Sequence, residues 1–205
     1  MDSQELQDRF GKYTPEQKLT SGYGETYLFE VGRDDVHNIL LDLIRNETLA
    51  LTGNEFGYDD EEINQAILDL FKNPSVKVQI TLDKSQAGGV HEKKIIAADE
   101  VTDPTDFSNS FAIGQSATHQ ISHTKGMVFS GQGIWVEGST NLSKSGEGVG
   151  ISLKPNISNP KGFQAQNNTL VVSTNKVGLI RFKTKLDAEH DIAKAQMLAK
   201  QEKGV

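Results

Sequence analysis

The stretch from Thr48 to Asp83 is the feature that most constrains the fold of this chain. A short strand pattern over Thr48–Gly53 precedes a segment whose apolar residues recur at helical spacing, and strand alternation returns over Val76–Asp83. Asn73 and Pro74 end the helical pattern. A strand, a helix and a second strand in this order predict an α/β fold, with a mixed sheet flanked by helices.

The same mixture of strand and helix patterns continues on both sides of this stretch. Glu25–Gly32 alternates as a strand, and Leu170–Ser173 is a core-type strand followed by one or two closing helices over residues 175–200. The helix after the first strand begins at an Asp cap, and its apolar stripe is Val36, Ile39, Leu40, Leu43 and Ile44. His37 falls off that stripe, which predicts a surface position.

The length of 205 residues favours one domain with a sizeable core. We place that domain at residues 25–200. Residues 1–24 lack periodicity and predict a flexible arm, and residues 201–205 predict a frayed tail. Within the domain, residues 143–162 are rich in Gly, Ser, Asn and Pro, and they predict an irregular insertion loop that is either a binding loop or a disordered excursion.

Several classes of protein are disfavoured by composition. The chain has no cysteine, so a disulfide framework, thiol catalysis and cysteine metal sites are excluded. Apolar runs are too short to span a membrane, and the first twenty residues have no secretory pattern, which favours a cytoplasmic protein with no membrane partner. The acidic residues follow no metal-ligand pattern, so we expect no metal and no cofactor.

The charge distribution favours a polyanionic partner despite the net charge of −7. The segment from Ser110 to Lys185 carries eight basic and two acidic residues, a net charge of +6 that leaves −13 for the rest. Positive charge gathered near a site attracts nucleic acid locally. The alternative is that these lysines are ordinary solvated surface.

A hairpin is predicted in the middle of that basic segment. Met127–Phe129 and Ile134–Val136 are strand patterns, and Ser130–Gly133 has the composition of a turn. The register of such a hairpin returns Gly138–Asn141 beside the residues that precede its first strand.

Those preceding residues carry reactive groups. His123 and Lys125 are two apart, so a strand running through them would place the imidazole and the ammonium on one face. His119 lies four residues earlier and would share that face, either as a second phosphate contact or as a structural hydrogen-bonding residue. Together with Ser139 and Asn141, these groups can attack and hold a phosphodiester.

The order of these residues resembles the signature of the phospholipase D superfamily, His-x-Lys-x4-Asp followed by Gly-Ser-x-Asn. The positions that match are His123, Lys125, Gly138, Ser139 and Asn141, whereas Ser130 stands where the signature has Asp. Residues 25–195 also resemble the family in the order of strands and helices. A chain with one copy of the motif is most similar to the bacterial endonuclease branch.

The resemblance implies a metal-independent nuclease that cleaves DNA or RNA through a phosphohistidine. In that branch two subunits share one active site, so it implies a homodimer in which His123 of one subunit attacks phosphorus and the partner's His123 protonates the leaving group. Lys125 and Asn141 would grip the phosphate, with help from Ser139 and with His119 and Lys144 as further contacts.

Two departures from the family bear on activity. Ser130 replaces the motif Asp, and the region where nucleases of this branch carry an orienting Glu is Gln166–Asn168, which has no acid. Glu137 and Glu147 are the nearest candidates for a substitute acid.

Three other functions remain open at this point. A pseudoenzyme of the same fold would bind nucleic-acid phosphates through Lys125 and Asn141 without cutting them. A lipid phosphodiesterase would need an apolar segment facing the membrane, and the loop over 143–162 is too polar for that. The last alternative is a hairpin in which His-x-Lys is coincidental, against which the matching order of elements argues.

Overall fold

The computed structural model describes residues 18–21, 23–86, 89, 93–94, 110–150 and 165–201. Across these ranges eight strands form one sheet, with bounds β1 Lys18–Ser21, β2 Gly24–Glu30, β3 Ala50–Glu55, β4 Lys77–Asp83, β5 Ser110–Gly114, β6 Gly126–Phe129, β7 Ile134–Gly138 and β8 Thr169–Ser173. The helices are α1 Val36–Arg45, α2 Glu61–Phe71, α3 Lys144–Glu147 and α4 Lys176–Gln201, and Lys84–Gln86 form a short 3₁₀ turn.

The strand order is β1-β2-β8-β7-β6-β3-β4-β5. The pairs β3–β4 and β4–β5 are parallel, and the other neighbours are antiparallel. The predicted mixed sheet is therefore confirmed. Its parallel and antiparallel parts meet at β3, the strand beside the hairpin formed by β6 and β7.

Aspartate caps begin the two helices on one side of the sheet. The side chain of Asp35 accepts from the backbone N–H of Asn38 at α1, and Asp60 accepts from Glu62 and Ile63 at α2. These caps satisfy amides that have no partner within the helix. The apolar stripes of α1 and α2 then bury against the sheet in the main core, which also holds Tyr27, Phe29 and Phe111.

The long helix α4 covers part of the opposite face. Phe182 and Leu186 pack with Val128 of β6, and Trp135 of β7 contacts the Phe182 ring at 5.7 Å between centroids. Helices on both faces are what a sheet buried on both sides requires.

The hairpin is confirmed, but the strand that leads into it is shorter than predicted. Met127 pairs with Val136 and Phe129 with Ile134, with the turn between them. β6 begins only at Gly126, so His123 and Lys125 lie in the connection before the strand. β3, in contrast, continues two residues past Gly53, to Glu55.

The ends of the domain differ from the sequence-based boundaries. Residues 18–21 of the predicted arm form β1, which pairs with β2; their pattern is too short to detect without that partner. Residues 1–17 and 202–205 lie outside the described residues. In the predicted irregular loop, Lys144–Glu147 form a helical turn capped by Ser143, and residues 151–164 also lie outside the described part.

No helix among the residues that the structure describes combines the length and the apolar character needed to cross a lipid bilayer.

Candidate active site

His123 and Lys125 form the centre of the site. The Nζ atom of Lys125 lies 3.0 Å from Nε2 of His123 and 3.3 Å from the His123 carbonyl oxygen. An ammonium only donates, so Nε2 is the acceptor. His123 is exposed, whereas Lys125 is 5% exposed. The two side chains thus meet in the irregular connection before β6, and not on the predicted strand.

The segment that carries His123 is held by α4. Glu189 accepts from the hydroxyl of Thr124 at 3.0 Å and from the side-chain amide of Asn54 at 2.6 Å. Lys185 donates to both Thr124 and Glu189, at 2.6 Å each. These bonds tie the residue after His123 to the helix and to β3.

The residue before His123 is held in the same way. Asp83, fully buried at the end of β4, accepts from the backbone N–H of Ser122 at 2.6 Å. The Ser122 hydroxyl lies 3.3 Å from the Asn54 amide nitrogen. Because both neighbours of His123 are fixed, the imidazole sits on a preorganised segment, as catalytic positioning requires.

The loop after β3 connects the imidazole to the carboxamide of the motif. The Phe56 ring lies edge-on to the His123 ring at 4.7 Å between centroids, and the Lys125 ammonium lies 5.1 Å from the same ring. At Gly57 a Cβ would lie 3.0 Å from the Asn141 side chain. The side chains of His123, Lys125 and Asn141 therefore converge around two consecutive residues.

The second half of the motif is fixed by β8. Gly138 donates its N–H to the Lys125 carbonyl at 3.2 Å, and the Ser139 hydroxyl accepts from the Thr169 N–H at 3.1 Å. A side chain at Gly138 would collide with the Thr169 carbonyl, so glycine is required there. Asn141 Oδ1 is buried and has no hydrogen-bond partner within the described residues.

Glu55 is a site residue that the sequence analysis missed. Asn54 pairs with Gly126, so continuing the register places Glu55 opposite Lys125. Burial raises the pKa of the Glu55 carboxyl well above its usual value; Lys125 opposes that shift, and the charge of Glu147 adds to it. Burial likewise lowers the pKa of Lys125, and Glu55 partly offsets the effect. The two groups are electrostatic partners in a site with little water.

A cavity of about 610 Å³ opens beside the imidazole. Its wall combines apolar Ile121 and Ile192 with polar Gln115 and Ser116 and with charged groups of α4. Cavities of this size hold small organic ligands, and one nucleotide fits within that range.

The two further predicted phosphate contacts are both exposed. His119 is exposed in a tight turn, with a φ of +59° and its N–H bonded to the Ser116 carbonyl, so it does not share a strand face with His123. Lys144 is exposed at the start of α3, just after the Ser143 cap.

The Asp position of the signature is remote from the imidazole. Ser130 follows the last residue of β6 and Lys125 precedes the first, which at about 3.3 Å per residue separates them by roughly 16 Å. The acid that bonds to the chain beside Ser130 is Glu47. Glu47 Oε1 accepts from the backbone N–H groups of Thr48, Leu49, Ala50 and Gly131. An acid at position 130 would therefore lie too far away to contact the His123 imidazole.

The two acids considered as substitutes have different surroundings. Glu137 is exposed and lines the cavity beside His123. Glu147 is buried and bonded to His37, with 2.6 Å between Oε2 and Nδ1, so it does not orient His123. Gln166–Asn168 bond to the α3 region, where the Asn168 amide donates to the Gly146 carbonyl.

His37 is buried, contrary to the predicted surface position, because acids on two other elements surround it. Burial disfavours its charged form, but the hydrogen bond and charge of Glu147, with Glu62 and Asp60, raise the pKa of His37 to about 9. Burial raises the pKa of Glu147 to about 7 against the effect of His37.

His37, Asp60 and Glu147 each offer a ligand atom, and these atoms lie within 4.8 Å of one another. They are thus able to hold a metal ion, a cluster that the sequence analysis did not anticipate.

No family model and no curated protein matches this sequence. Solved structures do match the fold. NucT from Helicobacter pylori superposes with a TM-score of 0.62 at 17% identity, covering 82% of this chain and 97% of that chain. Nuc from Salmonella typhimurium, a phospholipase D family member, superposes with a TM-score of 0.57 at 12% identity, covering 82% and 95%.

A third similar structure is TrmBL2, an archaeal chromatin protein described as having a novel mode of DNA binding. It superposes with a TM-score of 0.52 at 10% identity over 90% of this chain and 57% of that chain. The phospholipase D-like fold implied by the sequence signature is therefore confirmed.

Proposed function

We propose that this protein is a metal-independent phosphodiesterase, a nuclease that cleaves DNA or RNA through a phosphohistidine at a site shared by two subunits. The observation that carries the proposal is the pairing of His123 Nε2 with the Lys125 ammonium beside Asn141. A nucleophilic nitrogen in contact with a cation, and an amide packed on the adjoining loop residue Gly57, are groups that phosphoryl transfer needs.

In the proposed reaction, Nε2 of His123 attacks phosphorus while the bond from phosphorus to the leaving oxygen breaks. The partner's His123 donates the proton that the leaving oxygen takes up. Water then attacks the phosphohistidine, the nitrogen–phosphorus bond breaks, and the partner imidazole accepts the proton from that water. Each chain carries one motif, so a two-fold dimer would supply both histidines.

The phosphate would be held by groups that stand ready around the imidazole. Lys125 neutralises a nonbridging oxygen in a largely buried position, where electrostatic interactions are stronger than in water. The Asn141 carboxamide and the Ser139 hydroxyl supply neutral contacts. Glu55, behind Lys125, would position the ammonium without touching the substrate.

A nucleotide chain suits the surroundings of this site. The cavity beside His123 offers apolar walls at Ile121 and Ile192 for a base next to the reacting phosphate. Lys176 and Arg181 lie on the α4 stretch that follows β8 and add positive charge to the basic segment.

One observation favours the alternative, a protein that binds nucleic-acid phosphates without cutting them. Among the described residues, no carboxylate is hydrogen-bonded to His123, and its Nε2 is engaged by Lys125. An imidazole without an orienting acid is a weaker nucleophile.

The deciding experiment is digestion of single- and double-stranded DNA and RNA in excess EDTA. Wild type should cleave at least one of these substrates, and His123→Ala should lower the rate at least about a thousandfold. His119→Ala is the matched control, because it removes an exposed histidine four residues away and should leave the rate near wild type. Salt-sensitive binding without cleavage would establish the alternative function.

The shared site has its own test. Sedimentation should give a dimer, and adding excess His123→Ala to wild type should lower activity as subunits exchange. A strictly monomeric active enzyme would contradict the shared site while leaving the role of His123 intact.

A further inference from the structure

A second cluster of reactive groups lies outside the proposed active site. His37 is in the first turn of α1, Asp60 caps α2, and Glu147 is the last residue of α3. Their exposed fractions are 8%, 2% and 2%. Three ligating side chains from three helices therefore meet in one buried place, within 4.8 Å of one another.

The cluster has acceptor capacity that the protein does not use. Glu147 Oε1 is buried and has no hydrogen-bond partner within the described residues, while Oε2 bonds to His37. Asp60 uses Oδ1 for the α2 cap and turns Oδ2 toward His37 Nδ1 at 3.8 Å. An unpartnered buried carboxylate oxygen is costly, and a cation is the group that would satisfy it.

The outer side of the imidazole is arranged as in metal-ligating histidines. His37 Nε2 lies 3.2 Å from Glu62 Oε2, and Glu62 is in turn paired with Arg45 at 2.9 Å. A ligating histidine usually donates its second ring N–H to a carboxylate, which leaves the other nitrogen free for the metal. Here that arrangement directs Nδ1 to Asp60 and Glu147.

We propose that His37, Asp60 and Glu147 bind one zinc ion that joins α1, α2 and α3. One imidazole nitrogen with two carboxylate oxygens is a donor set that suits zinc, whereas an all-oxygen set would suit calcium or magnesium. The metal takes the place of the Nδ1 proton, and Glu147 moves back from its 2.6 Å contact with that nitrogen. A cavity of about 210 Å³, lined by His37 and Glu147 together with Asp35 and Gly148, adjoins the cluster.

The consequence of such an ion is structural. The Leu142 carbonyl accepts hydrogen bonds from the N–H groups of Asp59 and Asp60. The chain between Asn141 and Glu147 is therefore already bonded to the start of α2. An ion between Asp60 and Glu147 would fix the segment that follows the motif. This role is structural and needs no metal at His123.

The test is titration of the metal-stripped full chain with Zn²⁺, followed by calorimetry and by thermal unfolding. Wild type should bind one equivalent and unfold at a higher temperature with zinc than without it. Asp60→Asn keeps the helix cap but removes a charged ligand, and Glu147→Gln keeps the side-chain shape. Each of these two substitutions should weaken zinc binding at least about tenfold. A loss of that size is already expected when a residue that only bonds to a metal ligand is replaced.

Two controls separate this site from other acids and histidines. Asp35→Asn changes the cap of α1 beside the same cavity and should bind zinc like wild type. His123→Ala should do so as well, which excludes binding at the proposed active site. Absence of one-to-one binding, or binding unchanged in both Asp60→Asn and Glu147→Gln, would overturn the zinc site whatever the nuclease assays show.

Discussion

The Lys125 ammonium donates to Nε2 of His123 across 3.0 Å. The nitrogen lone pair that the proposed reaction uses is therefore held by a cation in the free protein. Arrival of a phosphate gives that ammonium a charged oxygen to contact, which frees the imidazole where phosphorus is positioned. The substrate would thus activate its own nucleophile.

Replacing Lys125 by Met should separate binding from chemistry. Met removes the charge but fills much of the same buried volume, so the fold should persist. We expect kcat/KM on the cleaved nucleic acid to fall by about a hundredfold to a thousandfold. The dependence of binding on salt should also become shallower by about one counterion. Unchanged kcat/KM would contradict the proposed phosphate contact.

Glu55→Gln should change the pH dependence of stability. The folded-state pKa of Glu55 is raised, so its contribution to stability is full below the unfolded value of about 4.3 and is lost as pH rises through the folded value. Gln cannot ionise. The unfolding temperature of Glu55→Gln relative to wild type should therefore increase as pH rises above the unfolded value of about 4.3. A difference that does not vary with pH would show that Glu55 does not titrate in this way.

Glu55→Gln should also lower the cleavage rate, although the nucleophile His123 is still present. Gln keeps the hydrogen-bonding shape behind Lys125 but cannot carry charge, so the pH–rate profile should shift. Cleavage with an unaltered pH profile would leave Glu55 a purely structural residue.

His190 predicts acid sensitivity in the closing helix. Burial and the charge of Lys194 lower the pKa of His190 to about 4, and its ring nitrogens contact the hydroxyls of Thr81 and Ser110 at 2.9 and 2.7 Å. The unfolded chain takes up this proton near pH 6.5, so stability falls as pH drops from about 6.5 to about 4. The total loss is about 3 kcal/mol.

Urea unfolding at neutral pH and at about pH 5 would measure this effect. His190→Gln should reduce the loss of stability between the two conditions by about 2 kcal/mol, whereas His119→Gln, at an exposed position, should not. Equal losses in both variants and wild type would contradict the buried neutral histidine.

Glu47 should contribute strongly to stability, although it lies in the connection between α1 and β3. It is 3% exposed, and it accepts from four backbone N–H groups. Glu47→Ala leaves these donors without a partner, so we expect a loss of about 3 kcal/mol in urea unfolding. Asp69→Ala removes an exposed acid paired with Lys72 and should cost less than about 1 kcal/mol.

Placing the Asp of the family signature at position 130 should not raise the cleavage rate. Ser130→Asp adds a carboxylate next to Gly131, whose N–H is bonded to Glu47. Like charges at that turn should destabilise the protein relative to Ser130→Asn, and the cleavage rate should stay unchanged. A rate increase for Ser130→Asp would show that the turn is coupled to His123.

Elements whose residues follow a local periodic pattern were predicted correctly from the sequence. The two strands and the helix between Thr48 and Asp83, the hairpin, and the return of Gly138 to Lys125 follow from spacing along the chain. β1 escaped prediction because four residues without a partner carry no pattern. The predicted strand through His123 was wrong because β6 begins only at Gly126.

Roles that depend on partners distant in sequence were not predictable. Glu55 looks like a loop residue until β3 is paired with β6, and only then does it face Lys125. His37 sits off an apolar stripe, which is the pattern of a surface residue, yet Glu147 reaches it across 110 positions. Burial of a charged residue is decided by such partners and leaves no local signal.

The bonds from Lys185 and Glu189 to Thr124 have a consequence for synthesis of the chain. At about 5–20 residues per second, these helix residues emerge on the order of ten seconds after His123. During that interval the segment that carries the imidazole lacks the bonds from α4 to Thr124. A nuclease made on a ribosome works beside the message that encodes it, so under the proposed function the dependence on α4 would delay assembly of the cutting site until α4 is made.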